Sequence, residues 1–537
     1  MTYAFKKIDK QDFVIASVLF LIGIATRIPF ASRMIFAGDS ARFAMAMEQY
    51  DVAQMRPHAP GYFLYVAIAK FVYLFIHDTR LSLVSVSISS SVLTIVILYL
   101  LTSKMYDRSS GIISALVLLS SPLYWFNSEM PFTYALEGLL SVIFAYACYK
   151  TINDEKNWWI ASAVIIGLAT GVRQHIIIMF LPLWLYSIRR CSFKQILASF
   201  FIFGVTCLTW VIPMITLTGG LKKYFAAVDA QFNTWVLHPA PFLFQIKERG
   251  TIFTTFMIYS LGAGLLPILY YFIRTVRIST IMSDIRLQFI LLWFLPAMLF
   301  FIGVNLFNPG HVVFILPPLF IFLAESVRKL SKDIEEGLKR VLLNTANKFV
   351  NSVRKIFLYK AVVLSSVLVI ILINMYMFLF MDTQVSYAAI QKGDSRLAEL
   401  IRLTKENSTP AKTIIMTFFY NTHAGFYLQD YLVYCPFPLI FSEVEVPLDA
   451  QNVYISFHHQ TTPKTYWIRT GFKIEPIPIP KGIEKIIFWE DEIVQYYRNT
   501  SRPIEEIKSN IDNTKIYLLK VKEEEKIYYD YHYLSVG

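Results

Sequence analysis

Long apolar runs, parted by short polar stretches, set the pattern of this chain. They fall at 13–30, 81–103, 110–126, 131–150, 157–171, 174–188, 195–217, 251–273, 286–304, 311–327 and 360–381. A helix needs about 20 apolar residues to cross a bilayer, and the pattern predicts eleven transmembrane helices. The first run follows Lys6, Lys7 and Lys10. It lacks a small-residue cleavage site and more runs follow, so it reads as an anchor rather than a removable leader. One further apolar run, 60–76, has the length of either a short span or a helix lying in the interface.

The parity of the spans decides between these. Place 60–76 in the interface and the N-terminus in the cytoplasm. Lys104 and Arg108, Lys150 and Lys156, Arg189, Arg190 and Lys194, and Arg274 and Arg277 then occupy cytoplasmic loops, where Lys and Arg gather. The basic helical segment 328–359 joins them and reads as facing solvent or lipid headgroups. The other parity turns most of these charges outward. The expectation is a multi-pass cell-membrane protein with outer loops at 31–59, 127–131 and 218–250 and an extracytoplasmic C-terminal part.

Composition agrees. Only 16% of residues are charged, against about a quarter in soluble domains, which argues against a cytosolic enzyme and a disordered chain alike. The net charge of +12 is unevenly spread: residues 1–381 carry +15 and residues 382–537 carry −3. This is the signature of membrane orientation, not of nucleic-acid binding. Cys148, Cys191, Cys207 and Cys435 show neither a disulfide framework nor metal-ligand spacing. Residues 1–381 therefore form a membrane domain. Residues 382–537 read as a small α/β domain, with a helix at 394–405 and strands at 413–420, 452–457, 485–488 and 515–522. Pro476, Pro478 and Pro480 make a stiff extended link. There is no internal repeat, Gly-rich phosphate loop, HExxH or GxSxG motif.

Candidate chemistry concentrates in the outer loops. The first holds Gly38-Asp39-Ser40-Ala41-Arg42-Phe43 and Arg56-Pro57-His58-Ala59-Pro60-Gly61-Tyr62. Asp39 and Arg42 share a face if this stretch is helical. A carboxylate there can take a proton from an attacking hydroxyl, and a guanidinium can grip a phosphate; the plainer alternative is a surface pair with Asp39 as a helix cap. Glu129 sits at the second loop, and Glu137 about two turns into the next span, where an ionisable group is costly and usually functional. Their spacing of eight puts them on one helical face; pairing of Glu137 with a buried Arg is the structural alternative. Arg173 lies between two apolar runs as a phosphate ligand or a helix-end residue. Lys222, Lys223, Lys247 and Arg249 enrich the third outer loop in cations, where outer loops are usually poor. They suit an anionic ligand or a solvated surface. A lone interfacial His311 is more often structural than a ligand.

These residues resemble those of polyprenyl-phosphate-sugar-dependent membrane glycosyltransferases of the GT-C class, in the protein-mannosyltransferase and aminoarabinose-transferase group. Gly38-Asp39-x-x-Arg42-Phe43 is similar to that group's acidic first-loop motif. Arg56 to Tyr62 is similar to the Pro-Pro motif that opens its juxtamembrane helix, and Gly310-His311-x-x-Phe314-x-Leu316-Pro317 to its late helix. The likeness covers about 1–330. It implies a GT-C-like fold of some eleven spans plus a juxtamembrane helix. It also implies inverting transfer of a sugar from a polyprenyl-phosphate donor to a lipid, glycan or protein acceptor on the outer face. By the same resemblance Asp39 is the base. Arg42 is the first choice for the donor phosphate, with Arg173, Lys222, Lys223 and Arg249 behind it. Arg56, His58, Glu129, Tyr134, Glu137 and His311 shape the substrate pocket. No cofactor is called for. Ser40 stands where the family often has a second acid, which speaks against a metal-dependent variant without excluding a divalent ion. Two other readings remain: a carrier or flippase of lipid-linked sugars, which would be expected to show internal repeats, and a non-catalytic membrane scaffold.

Overall fold

The computed structural model describes residues 9–153, 155, 157–235, 242–275, 277–304, 306, 308–342, 348–438, 465–470, 476–477, 479–495, 503–521 and 527–528. The helices of the membrane part are α1 (Lys10–Arg27), α2 (Gly38–Glu48), α3 (Phe63–Ile76), α4 (Thr79–Met105), α5 (Arg108–Ser120), α6 (Pro122–Glu129), α7 (Tyr134–Ile152), α8 (Trp158–Val172), α9 (Ile176–Ile188), α10 (Phe193–Leu217), α11 (Leu221–Trp235), α12 (Phe242–Leu261), α13 (Leu265–Thr275), α14 (Ile278–Ser283), α15 (Ile285–Gly303), α16 (Leu316–Leu342) and α17 (Lys348–Phe380). Local chemistry starts several of them. Asp9, Asp78 and Asp107 accept from backbone N–H groups at the starts of α1, α4 and α5, and Ser192 with Gln195 forms a capping box on α10.

Among the described residues eight helices are long and apolar enough to cross a membrane. The bent pair α5–α6, turned by 63° where Ser121 meets Pro122, makes a ninth. The expected spans 157–171 and 174–188 are the shorter apolar helices α8 and α9. α3, the ambiguous run, has 14 residues and leaves Phe71, Leu74 and Phe75 at least 61% exposed. Such apolar surface on α1, α3, α10 and α17 has no place in water; it is the lipid-facing coat of the bundle. Inside, several polar groups find partners: Tyr124 donates to the Ser91 carbonyl, Trp293 to Ser141 and Trp184 to Ser162.

The two ends of the bundle differ. One is laced with ion pairs: Arg108 meets Asp9 and Asp12, both at 2.7 Å, Lys104 and Lys150 share Glu155, and Arg328 meets Asp107 at 2.8 Å. The other end carries α2 and the C-terminal sheet domain.

In that domain α18 (Tyr387–Asn407) starts at the Ser386 cap, and α19 (Asn421–Tyr427) and α20 (Asp491–Gln495) follow. The strands are β1 (Thr413–Met416), β2 (Leu432–Pro438), β3 (Thr465–Thr470), β4 (Pro476–Ile477), β5 (Lys485–Phe488), β6 (Glu505–Lys508), β7 (Lys515–Lys520) and β8 (Ile527–Tyr528). Six of them form a sheet in the order β3-β2-β1-β5-β7-β6, and β4 pairs with β8. β3, β2, β1 and β5 run parallel; β7 is antiparallel to both β5 and β6. Alternation does its usual work. Ile415, Val433, Ile487, Ile516 and Leu518 pack under α18, while Ile414, Met416, Ile486, Phe488 and Leu519 build the other face.

Two differences from expectation have physical causes. The strand expected at 413–420 stops at Met416, because the buried Glu490 carboxylate draws Thr417 Oγ1 (2.7 Å), Phe418 N (2.9 Å) and Phe419 N (3.0 Å) into a turn. The helix expected at 394–405 begins earlier, at Tyr387, where Ser386 accepts from Ala389 N. The strand expected at 452–457 and Pro478 lie outside the described residues.

Candidate active site

α2 begins without a side-chain cap: Ala37 is its N-cap, and Asp39 stands in its first turn with its carboxyl free for other work. Asp39 and Arg42 share a face but form no ion pair. The partner closest to Asp39 is His58, whose Nδ1 is 3.6 Å from Oδ1. Arg42 has no hydrogen bond or ion pair among the described residues, and its Nε is buried unsatisfied. Its charge is felt by Asp39, His58 and, from the sheet domain, His423 and Cys435.

From Asp39 a polar chain runs into the bundle. His58 Nε2 lies 3.0 Å from Tyr62 Oη. Tyr62 sits at the start of α3 with φ +46°, a conformation a bulky residue rarely takes, and it directs its hydroxyl at Arg173. Arg173, just past the end of α8, donates to Tyr62 Oη (3.5 Å) and to both Glu137 oxygens (3.2 and 3.3 Å), and meets His311 Nε2 at 3.4 Å. Glu137 also accepts from Thr133 Oγ1 at 2.6 Å. Tyr134 closes the group, its ring 5.3 Å from the Arg173 guanidinium carbon and 5.6 Å from the His311 ring. Gly310 permits this approach: a Cβ there would sit 1.9 Å from the Tyr134 ring.

The structure thus gathers Asp39, Arg42, His58, Tyr134, Glu137, Arg173 and His311. The rest stand elsewhere. Glu129 is fully buried with Arg27 as its charge neighbour. Arg56 lies on Gln49. Lys222 and Lys223 are exposed on α11, Lys223 near Asp51, and Arg249 donates to the Gly303 carbonyl. Glu129 and Glu137 do not share a helix: α6 ends at Glu129, Met130–Thr133 turn at Pro131, and α7 starts at Tyr134. Glu137 is consequently in the first turn of α7 rather than two turns down. Sequence reasoning gave no role to Tyr62 or Thr133; the Pro60-Gly61 turn signal just before Tyr62 was the available clue. Nothing local pointed to His423.

Electrostatics sets the protonation states. Burial opposes the charge of Asp39, but His58 when protonated, Arg42 and Arg173 outweigh it and hold its carboxyl below the ordinary aspartate value. Burial pushes His58 down to about 4, helped by Arg42 and Arg173 against the pull of Asp39. His423, 2% exposed, is likewise pushed to about 4, by burial. At neutral pH the site holds an aspartate anion, neutral rings at His58 and His423, and two guanidinium ions. An unfolded chain protonates both histidines near pH 6.5. Their stabilising share is therefore complete above that pH and falls as pH drops toward 4, by roughly 1 kcal/mol per pH unit for each histidine. Thermal unfolding in detergent from pH 7.5 to 4.5 is expected to show this fall, and replacing both with Gln to flatten it. A Tm constant down to pH 5 contradicts buried neutral rings.

Among the described residues no three His, Cys, Asp or Glu side chains converge as metal ligands.

Residues 57–217 match the profile of the dolichyl-phosphate-mannose-protein mannosyltransferase family. Among solved structures the chain is similar to ArnT from Cupriavidus metallidurans bound to undecaprenyl phosphate, at 14% identity over 95% of this chain and 97% of that one, with a TM-score of 0.57. The apo form of the same protein gives 13% identity, the same coverage and 0.56. This is a GT-C fold. No curated protein sequence matches the chain. The resemblance read from the first outer loop thus holds for the fold, and 57–217 includes His58, Tyr62, Tyr134, Glu137 and Arg173. Asp39, Arg42 and His311 lie outside that matched segment but within the GT-C bundle.

Proposed function

We propose that the protein is an inverting glycosyltransferase that moves a sugar from a polyprenyl-phosphate carrier to a hydroxyl acceptor. The site end of the bundle faces away from the cytoplasm. One observation carries the reading: a carboxylate with 43% of its side chain open stands beside a guanidinium that has no hydrogen bond or ion pair among the described residues. Asp39 takes the proton of the acceptor hydroxyl, and the oxygen attacks the anomeric carbon. The bond from that carbon to the phosphate oxygen breaks, and polyprenyl phosphate leaves with the electron pair. Arg42, and Arg173 behind it, meet the charge that grows on the leaving phosphate. The step draws on side chains alone and uses no resident cofactor. The orientation is supported by the basic groups gathered at the opposite end, where the positive-inside rule places the cytoplasm.

The test is incubation of the purified full-length protein with radiolabelled polyprenyl-phosphate sugars and a membrane lipid extract. Labelled product together with free polyprenyl phosphate is expected. A donor that crosses the bilayer uncleaved makes the protein a carrier instead, and no transfer with any donor removes the enzyme reading. Arg42→Ala is expected to weaken undecaprenyl phosphate binding about 10- to 100-fold, the worth of one or two charge-assisted hydrogen bonds. It should change Tm much less than affinity, since among the described residues the guanidinium makes no hydrogen bond or ion pair. Equal affinity in both forms rules Arg42 out as the grip.

A further inference from the structure

The stretch between α1 and α2 makes few bonds of its own. Ala31 N reaches back to the Ile28 carbonyl and Ser32 N to the Glu129 carbonyl. Ser32 Oγ divides its one hydrogen between the Met34 carbonyl at 2.6 Å and the C-terminal domain, which also takes the N–H groups of residues 33–35. Asp394 of α18 accepts from Ser32 Oγ (2.8 Å) and Met34 N (2.9 Å) on one oxygen and from Arg33 N (2.6 Å) on the other. Tyr427 of α19 accepts from Ile35 N at 2.8 Å. The Phe36 ring lies where only a glycine fits opposite: a Cβ on Gly393 would come within 2.6 Å of it. Gly38 rests against Thr422 and His423. Met34 and Phe36 pack on the hydrophobic core beneath α18.

α2 has 11 residues and no side-chain cap, too short to be stable alone. Its start, and with it the place of Asp39 in the next position, is set from outside. We infer that Asp394 is a positioning residue for Asp39: through the strap 32–38, the C-terminal sheet domain holds the catalytic helix in register with His58 and Arg173. This rests on the proposed transfer reaction and goes beyond it, because it makes the C-terminal domain a working part of the membrane site rather than a detachable appendage. Terminal domains are often trimmed without loss; here trimming would reach Asp39. The bundle keeps its own core, but the strap loses its template.

The experiment compares Asp394→Ala, Asp394→Asn and Tyr427→Phe in the full-length protein. Two measurements are made: kcat for sugar transfer per folded molecule well below Tm, and amide hydrogen exchange over 32–44. Asp394→Ala removes three acceptor contacts and is expected to lower kcat about 100-fold, the scale of a misplacement near 1 Å. It should also expose Arg33, Met34 and the first turn of α2 to exchange. Asn keeps the oxygen shared by Ser32 and Met34 and loses only Arg33, so it is expected to recover most of the activity. Tyr427→Phe removes one bond and decides the matter if the alanine form does not fold. A lowered Tm with unchanged kcat means that Asp394 merely fastens the domain and overturns the inference. If no donor is transferred even by wild type, exchange alone decides: unaltered protection of 32–44 in Asp394→Ala overturns it, independently of the reaction.

Discussion

Asp39→Asn is expected to lower kcat for sugar transfer by on the order of 10²–10⁴-fold, the usual worth of a positioned general base. Affinity for undecaprenyl phosphate should stay the same or rise slightly. The substitution conserves shape and leaves Arg42 untouched. It removes one negative charge from beside the leaving phosphate, which favours the donor. It also removes the group that can receive a proton from the acceptor hydroxyl. Nothing nearby is placed to replace it: the His58 side chain is 8% open against 43% for Asp39, and its Nε2 is turned to Tyr62 Oη at 3.0 Å. The pH profile carries the second signature. Because the surrounding cations hold Asp39 below the ordinary aspartate value, the acid limb of kcat/KM should fall below pH 4 in a wild type that survives there. Turnover at the wild-type rate in the Asn form removes Asp39 from proton transfer.

The membrane architecture was legible because a bilayer imposes length and apolarity together. Every expected run is a helix, although α8 and α9 are shorter than a full crossing and α5–α6 bends at Pro122. The sheet domain was half legible. Strands β5 and β7 carry unbroken apolar runs with β-branched and aromatic residues and were read. Strand β2 was missed because Pro436 and Pro438 argue against a central strand. The register explains their tolerance: only Leu432–Tyr434 pair with β1, while the prolines lie beyond its end and face β3 alone. The site was legible as a list of residue types but not as an arrangement. Asp39 and Arg42 announce themselves by spacing, yet the groups that tune them arrive from residues 58, 62, 173, 423 and 435, in separate segments of the bundle and in another domain. No local periodicity encodes a contact between Ser32 and Asp394, 362 positions apart. Only the folded chain reveals that the strap is held from the far end of the sequence.

Glu137→Ala is expected to cost about 3–5 kcal/mol of stability, the penalty for stripping one partner from a buried ion pair. The pair is enclosed, with Glu137 at 1% and Arg173 at 7% side-chain exposure. Without Glu137 the guanidinium keeps Tyr62 and His311 as neighbours, but no described counter-charge in contact. Thermal or denaturant unfolding of the variant in detergent measures the loss. Replacing both members with Met separates the two roles of the pair. An apolar pair of similar volume is expected to restore most of the stability, since paired buried charges return little beyond their desolvation cost. Transfer should stay low, because the chain from Asp39 through His58 and Tyr62 then ends on nothing charged. Glu137→Gln isolates the charge itself. It conserves volume and an acceptor, leaves Arg173 unneutralised beside the donor phosphate, and is expected to tighten undecaprenyl phosphate binding while lowering Tm. If the double Met form transfers sugar at the wild-type rate, the Glu137–Arg173 pair is packing alone, and Arg42 is left to carry the phosphate charge by itself.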